Sequence, residues 1–269
     1  MGIRVGVTVP QFRDDAAPAI DVARRAEAAG LDGVFVFDHL WPLGQRERPA
    51  LHSLPLLGAL AAETARVTLG PLVARVSVLP NPVLVHSLVT LHRMLGGRFV
   101  AGLGTGDSAN REENEGYGLE FGTVAERVND LKQCCRDLRA AGVHTWVGGK
   151  SHGLRQAAAE EADGWNGWGW CAEPAVFAEA AAEIRTLAPN LELTWGGQVL
   201  IGRSREAAAA KLARTGGRQG LVHGTVEDLR AHFEALARAG ASWAICAPLD
   251  VGSDPECVEL IAEAARRGR

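Results

Sequence analysis

The chain has 269 residues, 47% of them hydrophobic and 22% charged, with a formal net charge of -4. This composition suits a soluble globular protein that buries a full core without a disulfide or metal staple. The acidic balance excludes nucleic acid as a partner, because a phosphate backbone needs a basic face.

The five cysteines, Cys134, Cys135, Cys171, Cys246 and Cys257, show no metal-ligand spacing. Their scatter predicts buried free thiols in a reducing compartment. The start of the chain enters a strand directly, which predicts no signal peptide. No apolar run approaches the ~20 residues of a membrane span. The expected location is the cytoplasm.

In chain order, the first strand is expected at Ile3 to Val9. A helix follows, opened by Pro18, with Ile20, Ala23 and Ala26 on one face and Gly30 as its stop. Gly33 to Phe37 is an unbroken apolar run that suits a parallel strand covered on both faces. It ends in Asp38-His39. Strand Val67–Val73 then precedes helix Pro82–Leu95, and strand Phe99–Leu103 precedes helix Val124–Ala140. Strand Thr145–Val147 leads to helix Gly153–Glu161, and strand Trp165–Trp168 to helix Pro174–Thr186. Strand Leu193–Ile201 leads to helix Arg205–Ala213. Helix Val226–Ala239, strand Trp243–Ala247 and helix Pro255–Arg267 complete the chain. No linker divides it, so one domain over residues 1–269 is expected. This alternation predicts a (β/α)8 TIM barrel. A doubly wound sheet would carry a glycine-rich fingerprint after its first strand, where Val9-Pro10-Gln11 stands instead.

A barrel places its active site at the C-terminal strand ends. Those ends are Gln11, Asp38-His39, Ala74-Arg75, Thr105 to Asp107, Gly148-Gly149-Lys150, Trp168 to Trp170, and Ala247-Pro248. His39 is a residue type suited to proton transfer, and the adjacent Asp38 suits holding its tautomer. No metal site is expected, because no His-x-His lies on the first strand and no ligand cluster recurs at later ends. His86 and His92 lie on an amphipathic helix and read as packing or surface groups. Gly148-Gly149-Lys150 opens a helix, where free N–H groups and a lysine suit an anion such as phosphate. A Schiff-base role for Lys150 is set aside, because the residue lies beyond the strand. Gly104-Thr105-Gly106 lets a ligand approach bare backbone, with Asp107 and Asn110 following as orienting groups. Tryptophans are frequent late in the chain, and each reads first as packing.

Several stretches together resemble the luciferase-like monooxygenase family, which includes flavin enzymes and coenzyme F-420-dependent oxidoreductases. They are Ala26 to Leu40, Leu69 to Val73 with Asn81-Pro82, Thr90 to Arg98, Gly102 to Gly106, Glu115 to Gly118, and Ala162 to Asn166. The resemblance implies a TIM barrel holding a flavin-type cofactor at its C-terminal mouth. Asp38-His39-Leu40, and Gly-Thr-Gly followed by Asp107 and Asn110, are similar to the deazaflavin enzymes. There the matching histidine lies beside the ring's reactive edge, and a non-prolyl cis peptide on the third strand buttresses the ring. Its match here is Leu72-Val73. The implied cofactor is coenzyme F-420, a deazaflavin, with FMN as the alternative. The implied activity is hydride transfer between that ring and a small organic substrate. A cofactor-binding protein without turnover and a non-redox barrel enzyme are the rivals.

His39 and Asp107 are then the expected acid-base residues. Asp38, His39, Leu72, Val73, Gly106, Asn110, Gly148, Gly149 and Lys150 are expected to bind the cofactor. The expected partners are a small-molecule substrate and a second copy of the chain in a homodimer. The chain departs from the family in one place. Ala140 to Val143 leads almost directly to the fifth strand, where relatives carry a long excursion.

Overall fold

Strand β1 (Arg4–Thr8) begins a chain of strand-helix units in the computed structural model, which describes residues 2–266. Helix α1 (Ala17–Ala29) has proline in its first turn and ends on Gly30, whose φ of 85° is left-handed, as the cap requires. Strand β2 (Gly33–Val36) is buried along its whole length. Then come α2 (Ser53–Glu63), β3 (Thr68–Pro71), β4 (Ala74–Arg75) and α3 (Asn81–Leu95). Strand β5 (Ala101–Gly104) is followed by a 3-10 turn at Ser108–Asn110 and by α4 (Arg111–Gly116). Helix α5 (Val124–Ala140) opens on a capping box, with the Thr123 and Glu126 side chains each bonding the other's backbone N–H. The rest is β6 (Thr145–Gly148), α6 (His152–Glu161), β7 (Gly164–Trp168), α7 (Pro174–Leu187), β8 (Glu192–Ile201), α8 (Arg205–Thr215), β9 (Val222–Gly224), α9 (Val226–Arg238), β10 (Trp243–Pro248) and α10 (Cys257–Ala265).

All pairings are parallel, in the order β3-β2-β1-β10-β8-β7-β6-β5-β4. β3 and β4 are consecutive pieces of one stave, interrupted at Leu72-Val73. The ring closes through β5, where Ala74 pairs with Leu103 and Leu69 bridges to Phe99. The result is the expected (β/α)8 barrel, with β9 added beside β8 outside the ring. Only residues 141–144 separate α5 from β6, so the short connection read from the sequence is present.

Aromatic rings fill the lower barrel. Phe35, Trp146 and Trp243 lie with centroids 5.7 to 5.8 Å apart. Beneath them Glu192 accepts from Trp146 Nε1 at 2.8 Å and Ser242 Oγ at 2.9 Å, and pairs with His144 and Arg4. A polar plug therefore closes the end opposite the mouth. The helices bury apolar stripes against the outside of the staves, as Leu84, Leu88, Leu91 and Leu95 do on α3.

Three elements escaped the periodicity argument. Helix α2 reads SLPLLGALAAE, apolar nearly all round, so it lacks the two-sided pattern that marks a surface helix. Helix α4 and strand β9 are too short to show a period. The last helix is shorter than its expected span, and Arg267 lies outside the described residues. All five cysteines are buried free thiols, as expected. No helix among the described residues is long and apolar enough to cross a membrane.

Candidate active site

The C-terminal mouth has an apolar floor. Val73 and Trp168, both half-buried, pack over the interior cluster that contains Phe35, Leu72, Trp146 and Ile245. The Leu72-Val73 peptide is cis, as the family resemblance implied. The Val73 side chain turns into the barrel over glycines. A Cβ on Gly104 would stand 2.4 Å from Val73 Cγ2, and one on Gly148 would stand 2.8 Å from Val73 Cγ1. These two glycines therefore provide the space for the interruption in the third stave. Phe37 meets Trp168 edge-on at 5.4 Å and stacks with Phe12 at 6.1 Å, which walls the floor on the β1-β2 side. Gln11 braces that wall, accepting from Phe37 N at 2.6 Å and donating to Phe37 O at 2.8 Å.

His39 stands at the edge of this floor, with 22% of its side chain exposed. Its Nδ1 lies 3.2 Å from Oε2 of Glu113 on α4. Glu113 is fully buried and gathers further donors. Oε1 accepts from Leu40 N and, at 3.4 Å, from Trp41 N. Oε2 also meets Arg75 Nη1 at 3.0 Å and Asn110 Nδ2 at 3.2 Å. Burial alone would raise the Glu113 carboxyl. The His39 hydrogen bond and the Arg75 charge outweigh it, and the group titrates below the ordinary carboxylate range. Arg75 is anchored further by Asp38 O at 2.9 Å and Asn114 Oδ1 at 3.1 Å.

The expected site residues divide into two groups. His39, Leu72 and Val73 share the mouth. Asp38 is buried and turned away, accepting from Ser53 Oγ at 2.6 Å and Arg75 N at 2.8 Å, so it does not hold the His39 tautomer. Asn110 is buried too. Its amide serves Glu113 and, at 2.9 Å, Asp107 N. Both residues, expected to bind cofactor, have their polar atoms engaged within the protein. Gly106 takes a positive φ of 66° and makes the turn between β5 and the 3-10 segment. Asp107 stands exposed on the rim and caps that segment, with Oδ1 accepting from Ala109 N at 2.9 Å.

At the end of β6, Gly149 N points to Asn166 O at 3.4 Å, so this N–H belongs to the sheet. Ser151 caps α6 through its own hydroxyl. Lys150 is exposed and lies 6.0 Å above the Trp170 ring. An anion at this corner would therefore meet Lys150 and the first turn of α6, with Gly148 and Gly149 shaping the turn. His86 is exposed and His92 half-buried on α3, as read from the sequence. Among the described residues no group of three metal-ligating side chains comes together.

Glu113 is the residue that sequence reasoning missed. A local signal existed: Asn110, Glu113 and Asn114 recur at the i, i+3, i+4 spacing of one helical face.

Known proteins are similar to this chain in sequence and in fold. An F420-dependent glucose-6-phosphate dehydrogenase of Nakamurella multipartita is 37% identical over 132 residues, which cover 49% of this chain and 38% of that protein. The match thus spans less than half the length of that relative. The structure of an F420-dependent secondary alcohol dehydrogenase in complex with an F420-acetone adduct superposes with a TM-score of 0.78 at 15% identity, covering 99% of this chain and 100% of that one. The coenzyme F420 dependent tetrahydromethanopterin reductase of Methanopyrus kandleri gives a TM-score of 0.77 at 14% identity, covering 97% and 98%. At such identities these structures speak for the fold. The luciferase-like monooxygenase family model matches residues 2–269, and the chain belongs to that family.

Proposed function

We propose that this protein is an oxidoreductase that uses coenzyme F-420 to exchange a hydride with a small organic substrate. When bound, the deazaflavin ring supplies the hydride chemistry. The observation that carries the reading is a histidine fixed by a buried carboxylate at the edge of an apolar floor, at the mouth of the barrel. Val73 and Trp168 suit the face of a flat ring, and Leu72 backs Val73 from below. Lys150 and the first turn of α6 suit a phosphate. His39, the one expected acid-base residue at the floor, would hold or move the proton that accompanies the hydride. Asp107 would act from the rim as an orienting group. Identity to a curated F420-dependent dehydrogenase supports the deazaflavin over FMN. A cytoplasmic homodimer is part of the same proposal.

Fluorescence titration of the purified protein with F-420 and with FMN tests it. F-420 should bind more tightly. FMN binding tenfold tighter, a gap of ~1.4 kcal/mol, would reverse the cofactor assignment. Binding of neither would remove the redox reading, and binding without turnover of any substrate would leave a cofactor-binding protein.

A further inference from the structure

We propose that Glu113 is the positioning residue of this site: it fixes the Nδ1-protonated tautomer of His39, leaving Nε2 as the nitrogen that exchanges a proton at the mouth. The catalytic meaning of that free nitrogen rests on the function proposed above. The tautomer does not.

Leu40 N, Trp41 N, Arg75 Nη1 and Asn110 Nδ2 are permanent donors, and all point at Glu113. A buried carboxyl surrounded in this way has no room for its own proton, so it stays an acceptor. A neutral imidazole beside it must then donate from Nδ1 and carry its lone pair on Nε2. The tautomer follows from the hydrogen-bond network alone.

The neighbouring charges point the same way. Asp38 precedes His39, but its carboxylate faces Ser53 and the backbone of Arg75. Asp107 caps its own turn. Phe12 lies over the imidazole at 6.1 Å and brings no charge. Arg75 sits behind Glu113 and shares Oε2 with His39, so its positive charge reaches the imidazole through the carboxylate. Arg75 Nη2 is buried without a hydrogen-bond partner among the described residues. Such a guanidinium needs the Glu113 charge, and this holds the carboxylate in place independently of His39.

Nitrogen-15 spectra of the histidine side chains in the cofactor-free protein test the proposal. In its neutral form, His39 should carry its proton on Nδ1. An Nε2-protonated ring in the wild type overturns the proposal. Glu113→Gln should erase the preference, because its amide brings two donors into a ring of donors. An unchanged tautomer in that variant also overturns it. If Glu113→Gln does not fold, His39→Asn and His39→Gln decide. The asparagine amide nitrogen falls where Nδ1 was and still reaches Glu113, whereas the glutamine amide falls where Nε2 was. His39→Asn should therefore melt higher than His39→Gln. Equal or reversed melting temperatures overturn the proposal. None of these readouts uses F-420, so failure of the protein to bind F-420 would remove the proposed function and leave the tautomer result to stand by itself.

Discussion

Glu113 meets His39 across 74 residues of sequence, Oε2 to Nδ1 at 3.2 Å, with its own side chain fully buried. The contact ties the loop after β2 to the segment after β5. Because the folded Glu113 carboxyl titrates below its ordinary value, its contribution is complete above that value and is lost as pH falls through the folded one. The mouth should loosen in acid, with protection of the Leu40 and Trp41 amides from hydrogen exchange falling below about pH 4.5 before the barrel core opens.

His39→Ala should lower turnover by at least about 10², the usual worth of a positioned acid or base. Affinity for F-420 should change much less. His39→Gln should fall in the same range, because an amide cannot shuttle a proton near neutral pH. Single-turnover kinetics at saturating cofactor separate the two effects. If Gln restores most of the rate, His39 only orients the ring, and Asp107 becomes the leading acid-base group.

Lys150→Glu tests the phosphate corner. It should weaken F-420 binding by about tenfold, or ~1.4 kcal/mol. The side chain is exposed, so the stability change should stay within about 0.5 kcal/mol. Gly149→Val is the poorer probe, because even a Cβ there would stand 2.4 Å from Leu154 Cδ1 and push on α6. Unchanged affinity in Lys150→Glu would move the phosphate to another part of the mouth.

The plug at the barrel base predicts a two-sided pH dependence of stability. Burial alone would raise the Glu192 carboxyl, but hydrogen bonds from His144, Trp146 and Ser242 bring it down from 4.5 to about 2. Its contribution, roughly 3 kcal/mol by linkage, is present above about pH 4.5 and is lost as pH falls toward 2. His144 is shifted upward from 6.5, chiefly by its hydrogen bond to Glu192. That contribution is present below 6.5 and is lost as pH rises through the folded value. The melting-temperature gap between wild type and Glu192→Gln should therefore peak near pH 5 to 6, about midway between the two ordinary values, and narrow on both sides. A gap that does not vary with pH would show that the plug acts by packing alone.

Lys211 on α8 reaches Asp250 at 2.6 Å and Asp254 at 3.0 Å on the loop after β10. Lys211 and Asp250 are both nearly buried. Lys211→Met keeps the stem and removes the charge, leaving Asp250 without its cation. The expected cost is about 3 kcal/mol, read by denaturant unfolding. A change below about 0.5 kcal/mol would mark the cluster as solvated.

The sequence alone determined the barrel. Short apolar runs, prolines at helix starts and glycines at helix ends are local signals, and they placed β2, α1 and α5 within a few residues of their observed bounds. It also placed His39 in the loop that follows β2, at the mouth end of the barrel. What the tertiary structure decided was the partner of that histidine. Asp38 is its neighbour in sequence, but in the loop after β2 its carboxylate turns to Ser53 and the backbone of Arg75. The segment Arg111 to Glu115 offers three carboxylates, and the local spacing groups Glu113 with Asn110 and Asn114 without saying that this face turns inward. That choice depends on how α4 sits, with Gly116 against the Trp41 ring and Asn114 bonded to Arg75 and Ser77. Those contacts join loops far apart in the chain, and only the closed barrel brings them together.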